Sequence, residues 1–154
     1  MAIPTQYQEI SVEGLPTLSE RMKAEGHRFV QLLAVNTEAG IDVQYTFMKD
    51  GVLEVFTIKG VTPEIPIPSI TDRFIAAFVF ENETHDLFGV DVQGIAIDFG
   101  GNFYALAQKE PMTIISPEQK AAREKAKKVA AAKAAKEKAA KAAAANAAYV
   151  ETHP

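Results

Sequence analysis

The stretch Ile41-Asp42-Val43-Gln44-Tyr45-Thr46-Phe47 alternates apolar and polar side chains with a period of two, the pattern of a β-strand with one face buried and one face wet. A helix would scatter these apolar positions around its circumference, so the segment restricts the chain to folds containing a one-sided sheet. Lys49-Asp50-Gly51 follows, and a three-residue loop with glycine at the positive-φ position is expected to turn the chain back into a partner strand from Val52 to Ile58. Upstream, Phe29 to Val35 is almost wholly apolar and reads as a central strand covered on both faces. Together these segments predict an antiparallel meander.

Helices flank it. Thr17-Leu18-Ser19-Glu20 has the form of a capping box and Gly26 supplies a stop, which predicts a short helix near 18–25 with Leu18 and Met22 facing inward. Pro63, Pro66 and Pro68 forbid helix between Gly60 and Ser69, leaving Ile65 and Ile67 in an extended segment that cannot pair as an inner strand and that suits an interface. Ser69-Ile70-Thr71-Asp72 resembles a second cap, opening a helical region with Phe74, Phe78, Glu81 and His85 at spacings of four, three and four. Gly94 to Phe99, a Gly100-Gly101-Asn102 turn and Phe103 to Ala107 read as a further hairpin. The class is therefore α+β, an antiparallel mixed sheet with flanking helices.

After Ser116-Pro117-Glu118-Gln119, alanine and lysine dominate to Ala148, which predicts a C-terminal Ala/Lys-rich helix or disordered tail, residues 117–154, behind a body of residues 1–116. Alanine offers one methyl per residue, so such a helix has little apolar stripe with which to dock. The charge divides at the same place. Residues 1–116 hold 7 Lys+Arg against 16 Asp+Glu, and residues 117–154 hold 9 against 4. An acidic body of that size disfavours nucleic acid as its partner.

Across all 154 residues there is no cysteine, which removes disulfides, thiol nucleophiles and thiolate ligation of zinc or iron–sulfur clusters. Any redox centre must then belong to a partner. The longest apolar run, Phe74 to Phe80, is too short to span a bilayer, and the first fifteen residues lack a basic segment followed by an apolar one, so a cytoplasmic protein is expected.

Chemistry-bearing side chains concentrate in Glu81-Asn82-Glu83-Thr84-His85-Asp86-Leu87-Phe88-Gly89-Val90. On a helix, Glu81, His85 and Phe88 share one face, Asn82 and Asp86 an adjoining one, and Gly89 falls where the helix stops. Three readings stay open on the residues alone. Glu81 and His85, with Glu83 and Asp86 nearby, are half of a carboxylate–histidine metal set. Adjacent carboxylates can also raise one another's pKa and serve as an acid–base pair, although no nucleophile or phosphate loop accompanies them. The third reading is a helix end whose carboxylates bond backbone amides or basic residues of a neighbour, with Phe88 filling a core pocket. His27, beside Gly26 and Arg28, reads as an ordinary surface or cap residue, and Gly100-Gly101 is too short a glycine pair for a phosphate cradle.

From Pro68-Ser69-Ile70-Thr71 through Ala76-Ala77 to Glu81-x-Glu83-x-x-Asp86-Leu87-Phe88-Gly89-Val90, the chain resembles the thirty-kilodalton subunit family of respiratory complex I, over about Thr17 to Ile97. Asn82 stands where that pattern has arginine, and the proline-rich ending is missing after Gly89. With the Ile-Ala-Ile-Asp-Phe-Gly-Gly stretch at 95–101, these departures make the chain more similar to the version in membrane-bound energy-converting [NiFe] hydrogenases of the Ech type. The resemblance implies a non-catalytic subunit, without catalytic residues or cofactor of its own, on the cytoplasmic side of the membrane and peripheral to it. It implies packing against a NiFe large subunit, near an iron–sulfur small subunit, and an indirect link to membrane ion-translocating subunits. The NiFe centre and the iron–sulfur clusters are then expected in those partners. By the same resemblance Glu81, Glu83, His85, Asp86, Phe88 and Gly89 form the partner-subunit interface, with Glu81, Glu83, Asp86 and Gly89 at the centre of the motif.

Two alternatives accompany that expectation. One is the corresponding subunit of an NADH/quinone oxidoreductase. The other, from a different class, is a nucleic-acid-binding protein acting through the basic tail, with the charge division at Ser116 as its motive. Its signature is DNA retardation by the purified chain at physiological salt that vanishes on truncation after Ser116; absence of retardation eliminates it.

Overall fold

The computed structural model describes residues 3–113, which lie within one compact unit, Met1–Ile114. The predicted Ala/Lys-rich helix of residues 117–154 falls outside the described residues. The sheet has four strands, β1 (Thr5–Glu9), β2 (Arg28–Thr37), β3 (Gly40–Lys49) and β4 (Val52–Val61), in the order β1-β4-β3-β2. The three-stranded meander is antiparallel, as its alternation predicts, and β1 joins β4 in parallel. Sequence pattern did not reveal β1. Its Thr-Gln-Tyr-Gln-Glu side chains are largely exposed, so backbone pairing alone recruits it, with Thr5 opposite Leu53 and Glu9 opposite Thr57.

Helices α1 (Leu15–Ala24) and α2 (Ala77–Phe88) share a single core with the inward side chains of β3 and β4. Phe47, wholly buried, sits among Phe29, Phe56 and Phe74 with ring centroids 5.7, 6.1 and 5.3 Å away. Leu15, Leu18 and Met22 line the inner face of α1 at helical spacing. That helix starts before the predicted box: it runs on from a 3-10 turn at Val12–Gly14, and the Ser19 hydroxyl donates to the Pro16 carbonyl (2.8 Å) instead of capping. Its end is a Schellman motif, with Gly26 at φ +80°, Gly26 N–H on Lys23 O and His27 N–H on Met22 O.

β2 corrects the expectation of a strand covered on both faces. It is an edge strand paired only with β3, and while Leu32 and Ala34 are buried, Leu33 and Val35 remain 46 % and 39 % exposed. An apolar run marks a buried strand only when layers exist for both faces, and both helices lie on the same one. The β3–β4 connection is also tighter than expected. Lys49 pairs with Val52, and the two-residue loop Asp50-Gly51 has positive φ at both positions, the geometry whose twist matches antiparallel strands.

The proline segment is drawn into the fold at Ile67, which is fully buried. With Pro68 it forms β5 (Ile67–Pro68), parallel to β6 (Val92–Gln93). Pro66 and Pro68 lack N–H donors, but Ile67 and Ser69, two residues apart, both donate to that partner, to Asp91 O and Gln93 O at 2.8 Å. Ile65 stays exposed. Beyond it, Ser69–Asp72 does not open a helix. The chain makes single turns from Ile70 to Ala76, and α2 begins at Ala77. The hairpin predicted over Gly94–Ala107 is absent as well: residues 94–110 contain turns and bends without a strand.

The one-sided sheet makes opposite predictions for its two faces. Phe47→Ala should destabilise the chain by about 3–5 kcal/mol in equilibrium urea unfolding, whereas Leu33→Ser should change it by less than about 0.5 kcal/mol. A large Leu33→Ser penalty in the isolated chain would show that the outer face is covered after all.

Candidate functional site

The polar side chains of α2 reach in several directions and bind backbone that no sheet or helix satisfies. Glu81, with 0 % exposure, accepts the Ser69 hydroxyl at Oε2 (2.6 Å) and the Ile70 N–H at Oε1 (2.9 Å). Thr71 lengthens the chain of bonds. Its hydroxyl lies 2.6 Å from Ser69 Oγ, whose own proton is engaged by Glu81, and its Oγ1 accepts the Ala96 N–H (2.9 Å). Thus the Ser-Ile-Thr segment, predicted as a cap, folds around a carboxylate contributed twelve residues later.

Asn82 is as buried as Glu81 and bonds on both ends of its amide: Nδ2 donates to Phe78 O (2.7 Å) and Ile97 O (2.8 Å), and Oδ1 accepts Phe99 N–H (2.9 Å). One turn on, Asp86 Oδ2 accepts the Tyr104 N–H (2.9 Å), and the Tyr104 hydroxyl donates to Glu83 (3.0 Å). These contacts explain the missing hairpin. The backbone groups at Ile97, Phe99 and Tyr104 are satisfied by α2 side chains, so the segment does not need a cross-strand ladder. His85 Nδ1 lies 3.0 Å from Val90 O and, because a carbonyl only accepts, donates to it, while Nε2 lies beside Gly101. Phe88 is half-buried against the core, and Gly89 ends α2 at φ +69°.

Burial sets the electrostatics. Desolvation raises the Glu81 carboxyl above its ordinary 4.5, and the opposing bonds from Ser69 and Ile70 do not cancel it. Burial likewise pushes the Tyr45 phenol far up, with a further contribution from the Glu81 charge, and Tyr45 Oη has no hydrogen-bond partner among the described residues. The bond to Glu83 holds the exposed Tyr104 phenol above its ordinary 10.0.

The six residues of the sequence motif therefore lie along the last turns of α2 and at its C-cap without converging on one point. Glu81 faces the Ser69–Thr71 turn, Asp86 and Glu83 face Tyr104, and His85 faces Val90 and Gly101. Among the described residues no three His, Asp or Glu side chains approach closely enough to hold a metal ion, so the helical-face metal set is not assembled by the fold. The shared face of Glu81 and His85 is real on the helix, but different neighbours capture each side chain. His27 is also not a surface residue. It is 7 % exposed and its Nε2 lies 2.8 Å from Glu54. Sequence reasoning passed over Tyr104 and Glu110, whose side chains meet the helix end; their long-range partners have no local signature.

The sequence family described as the respiratory-chain NADH dehydrogenase 30 kDa subunit matches residues 8–96, which include β2, β3 and β4, both helices and the whole α2 motif. The chain belongs to this family. It is similar in fold to a chain of the membrane-bound sulfane sulfur reductase, an archaeal respiratory membrane complex, with 17% identity, a TM-score of 0.61, and coverage of 70% of this chain and 67% of that one. It is similar also to the trypsin-resistant fragment (1-134) of Nqo5, with 19% identity, a TM-score of 0.53, and coverage of 60% of this chain and 82% of that one. No curated protein matches it significantly. The family match agrees with the resemblance read from the α2 motif. The described residues contain no helix long and apolar enough to cross a membrane.

Glu81 gives a pH test with a defined sign. Its folded-state pKa is raised, so the folded chain holds the proton more tightly, and stability from this group is greatest below 4.5 and lost as pH rises through the folded value. Glu81→Gln keeps an acceptor for Ile70 and a polar partner for Ser69, so the melting temperature of the variant should fall less than the wild type's between pH 4.5 and neutrality. Identical slopes in a calorimetric pH series would exclude a raised Glu81 pKa.

Proposed function

We propose that this chain is a non-catalytic subunit in the peripheral arm of a membrane-bound energy-converting [NiFe] hydrogenase, packed against the large subunit that carries the NiFe centre. The observation that carries this reading is the family match across residues 8–96, which makes the chain a 30 kDa-type subunit of a respiratory complex. The finer assignment rests on Asn82 in place of arginine and on the sequence after Gly89. In this reading the iron–sulfur small subunit lies nearby, the ion-translocating membrane subunits are reached indirectly, and the arm sits on the cytoplasmic side. Electron transfer from ferredoxin to protons takes place entirely in the partners.

The chemistry of α2 supports an architectural role. Glu81 and Asp86, carboxylates of the metal and acid–base readings, and the neighbouring Asn82 are bonded to the chain's own backbone. With no cysteine in 154 residues, the chain offers no thiolate to a cluster. Glu83, His85, Phe88 and Gly89, which stay partly exposed at the helix end, are the part of the motif available to a partner. Fixing an irregular segment against a rigid helix also presents a pre-ordered surface, which lowers the entropy lost on assembly.

The corresponding subunit of an NADH- or quinone-linked complex is the second reading, favoured by the family's own description. Affinity purification of the chain in mild detergent, followed by mass spectrometry, separates the two. The proposal expects a co-purifying large subunit with two Cys-x-x-Cys pairs and hydrogenase activity in the particle. A large subunit without those cysteines would establish the second reading, and a chain that purifies alone would defeat both.

A further inference from the structure

We infer that the loop of residues 97–106 is the surface on which this chain seats the large subunit, its apolar side chains entering a groove rimmed by basic residues; this deepens the interface reading above and rests on it. Ile97, Phe99, Tyr104 and Leu106 are 44, 45, 41 and 37 % exposed, and Phe103 is half-buried among them. The rings touch one another. Phe103 meets Phe99 at 5.1 Å and Tyr104 at 4.9 Å between centroids, both in edge-to-face geometry. A single exposed apolar side chain is ordinary, but five in one short loop, three of them in ring contact, mark a contact surface.

The backbone beneath these side chains is held in place. Asn82 binds Ile97 O and Phe99 N–H, Asp86 binds Tyr104 N–H, and the Thr71 hydroxyl accepts the N–H of the preceding Ala96. Within the loop Asp98 Oδ1 accepts Gly100 N–H (2.7 Å) and Asn102 Nδ2 donates to Gly100 O (3.0 Å), across a turn in which Gly100 and Gly101 both take positive φ. Three buried polar side chains thus fix a loop whose own apolar groups stay in water. Such ordering adds little to the core. What it supplies is a set of aromatic anchors already in position before a partner arrives. The holding residues lie inside the family match of residues 8–96 and the anchors just past it, the arrangement expected where a shared scaffold presents a partner-specific loop.

Charge selects the occupant. Glu83 accepts the Tyr104 hydroxyl, Asp98 lies between Ile97 and Phe99, and Glu110 lines the same cavity as Tyr104 and Leu106. Against these three carboxylates stands Lys109, the only Lys or Arg between residues 83 and 110, and none of the three forms an ion pair among the described residues. A second copy of this chain would set the same acidic rim against itself, and a phosphate-bearing surface would meet the same repulsion. A protein groove that is apolar along its floor and carries Lys or Arg at its edge matches both features, with aromatic anchors at the centre of the contact and charges at its rim.

The test compares Ile97→Ser, Leu106→Ser and Asp98→Asn with wild type, and uses Leu33→Ser on the exposed sheet face as a control. In the free chain each variant should melt within about 4 °C of wild type, since the altered side chains are solvent-facing. In affinity purification of the whole assembly, Ile97→Ser and Leu106→Ser should each retain the large subunit at least about tenfold more weakly, while Leu33→Ser retains it as wild type does. Asp98→Asn keeps an acceptor for Gly100 N–H and removes the charge, so its retention should fall and should vary less with salt. Wild-type retention in both loop serine variants, or an equal loss in Leu33→Ser, overturns the inference and leaves the interface reading intact. Unchanged or stronger retention by Asp98→Asn overturns the basic rim and with it the inference. A wild-type chain that sediments as a dimer, and becomes a monomer in the loop variants, overturns it in favour of a second copy. A fall in melting temperature of both loop serine variants in step with retention shows a structural loop and overturns it as well. Failure of the wild-type chain to bring down a large subunit overturns both readings.

Discussion

The structure depends on one kind of interaction: buried side chains of α2 standing in for backbone partners. A segment without regular secondary structure carries N–H and C=O groups that cannot be buried unbonded, since each such group costs on the order of 1–3 kcal/mol. Residues 94–104 and the Ser69–Thr71 turn are such segments, joined to each other where the Thr71 hydroxyl accepts the Ala96 N–H. Glu81 satisfies one, and Asn82 and Asp86 satisfy the other. Because a helix fixes these side chains at known angles to one another, the two irregular segments are fixed relative to the core. Loss of the helix would release both.

This arrangement reconciles a motif dense in ionisable groups with an architectural role. Carboxylates grouped on a helix invite a catalytic reading, yet the fold points them in separate directions and closes most of them against the chain's own amides. Glu81, raised in pKa by burial, is bonded to Ser69 and Ile70, so its perturbation arises from structure and carries no catalytic implication by itself. The exception is Asp86, whose second oxygen is enclosed without a donor among the described residues. A site that is less stable alone than it could be, next to a surface rich in half-exposed apolar groups, is the expected signature of a subunit whose final partner is another chain.

Much of the architecture was legible locally. The alternation Ile41–Phe47 and the turn at Asp50-Gly51 placed β3 and β4, and Leu18 and Met22 placed the inner face of α1, because period and turn chemistry act between residues near in sequence. The misreadings share a different cause. Phe29–Val35 is apolar on both sides, but whether a second layer covers it is decided by where both helices pack. Thr5–Glu9 has no strand pattern because it is held by pairing with β4 alone. Ser69-Ile70-Thr71-Asp72 has the composition of a cap, and composition cannot reveal that Glu81 will arrive to take the hydroxyl and the amide.

From the amino-acid order alone came the α+β class, the meander, the C-terminal part of α2 with its glycine stop, the absence of thiolate chemistry, and the motif that marks the family. Each depends on neighbouring residues or on residue types present or missing, which folding does not change. Tertiary structure decided which carboxylates are spent inside the chain and which oxygen is left over. That outcome depends on contacts such as Asn82 to Phe99 and Asp86 to Tyr104, each between residues more than a dozen positions apart, and chain closure over such distances is set by the packing of the whole core.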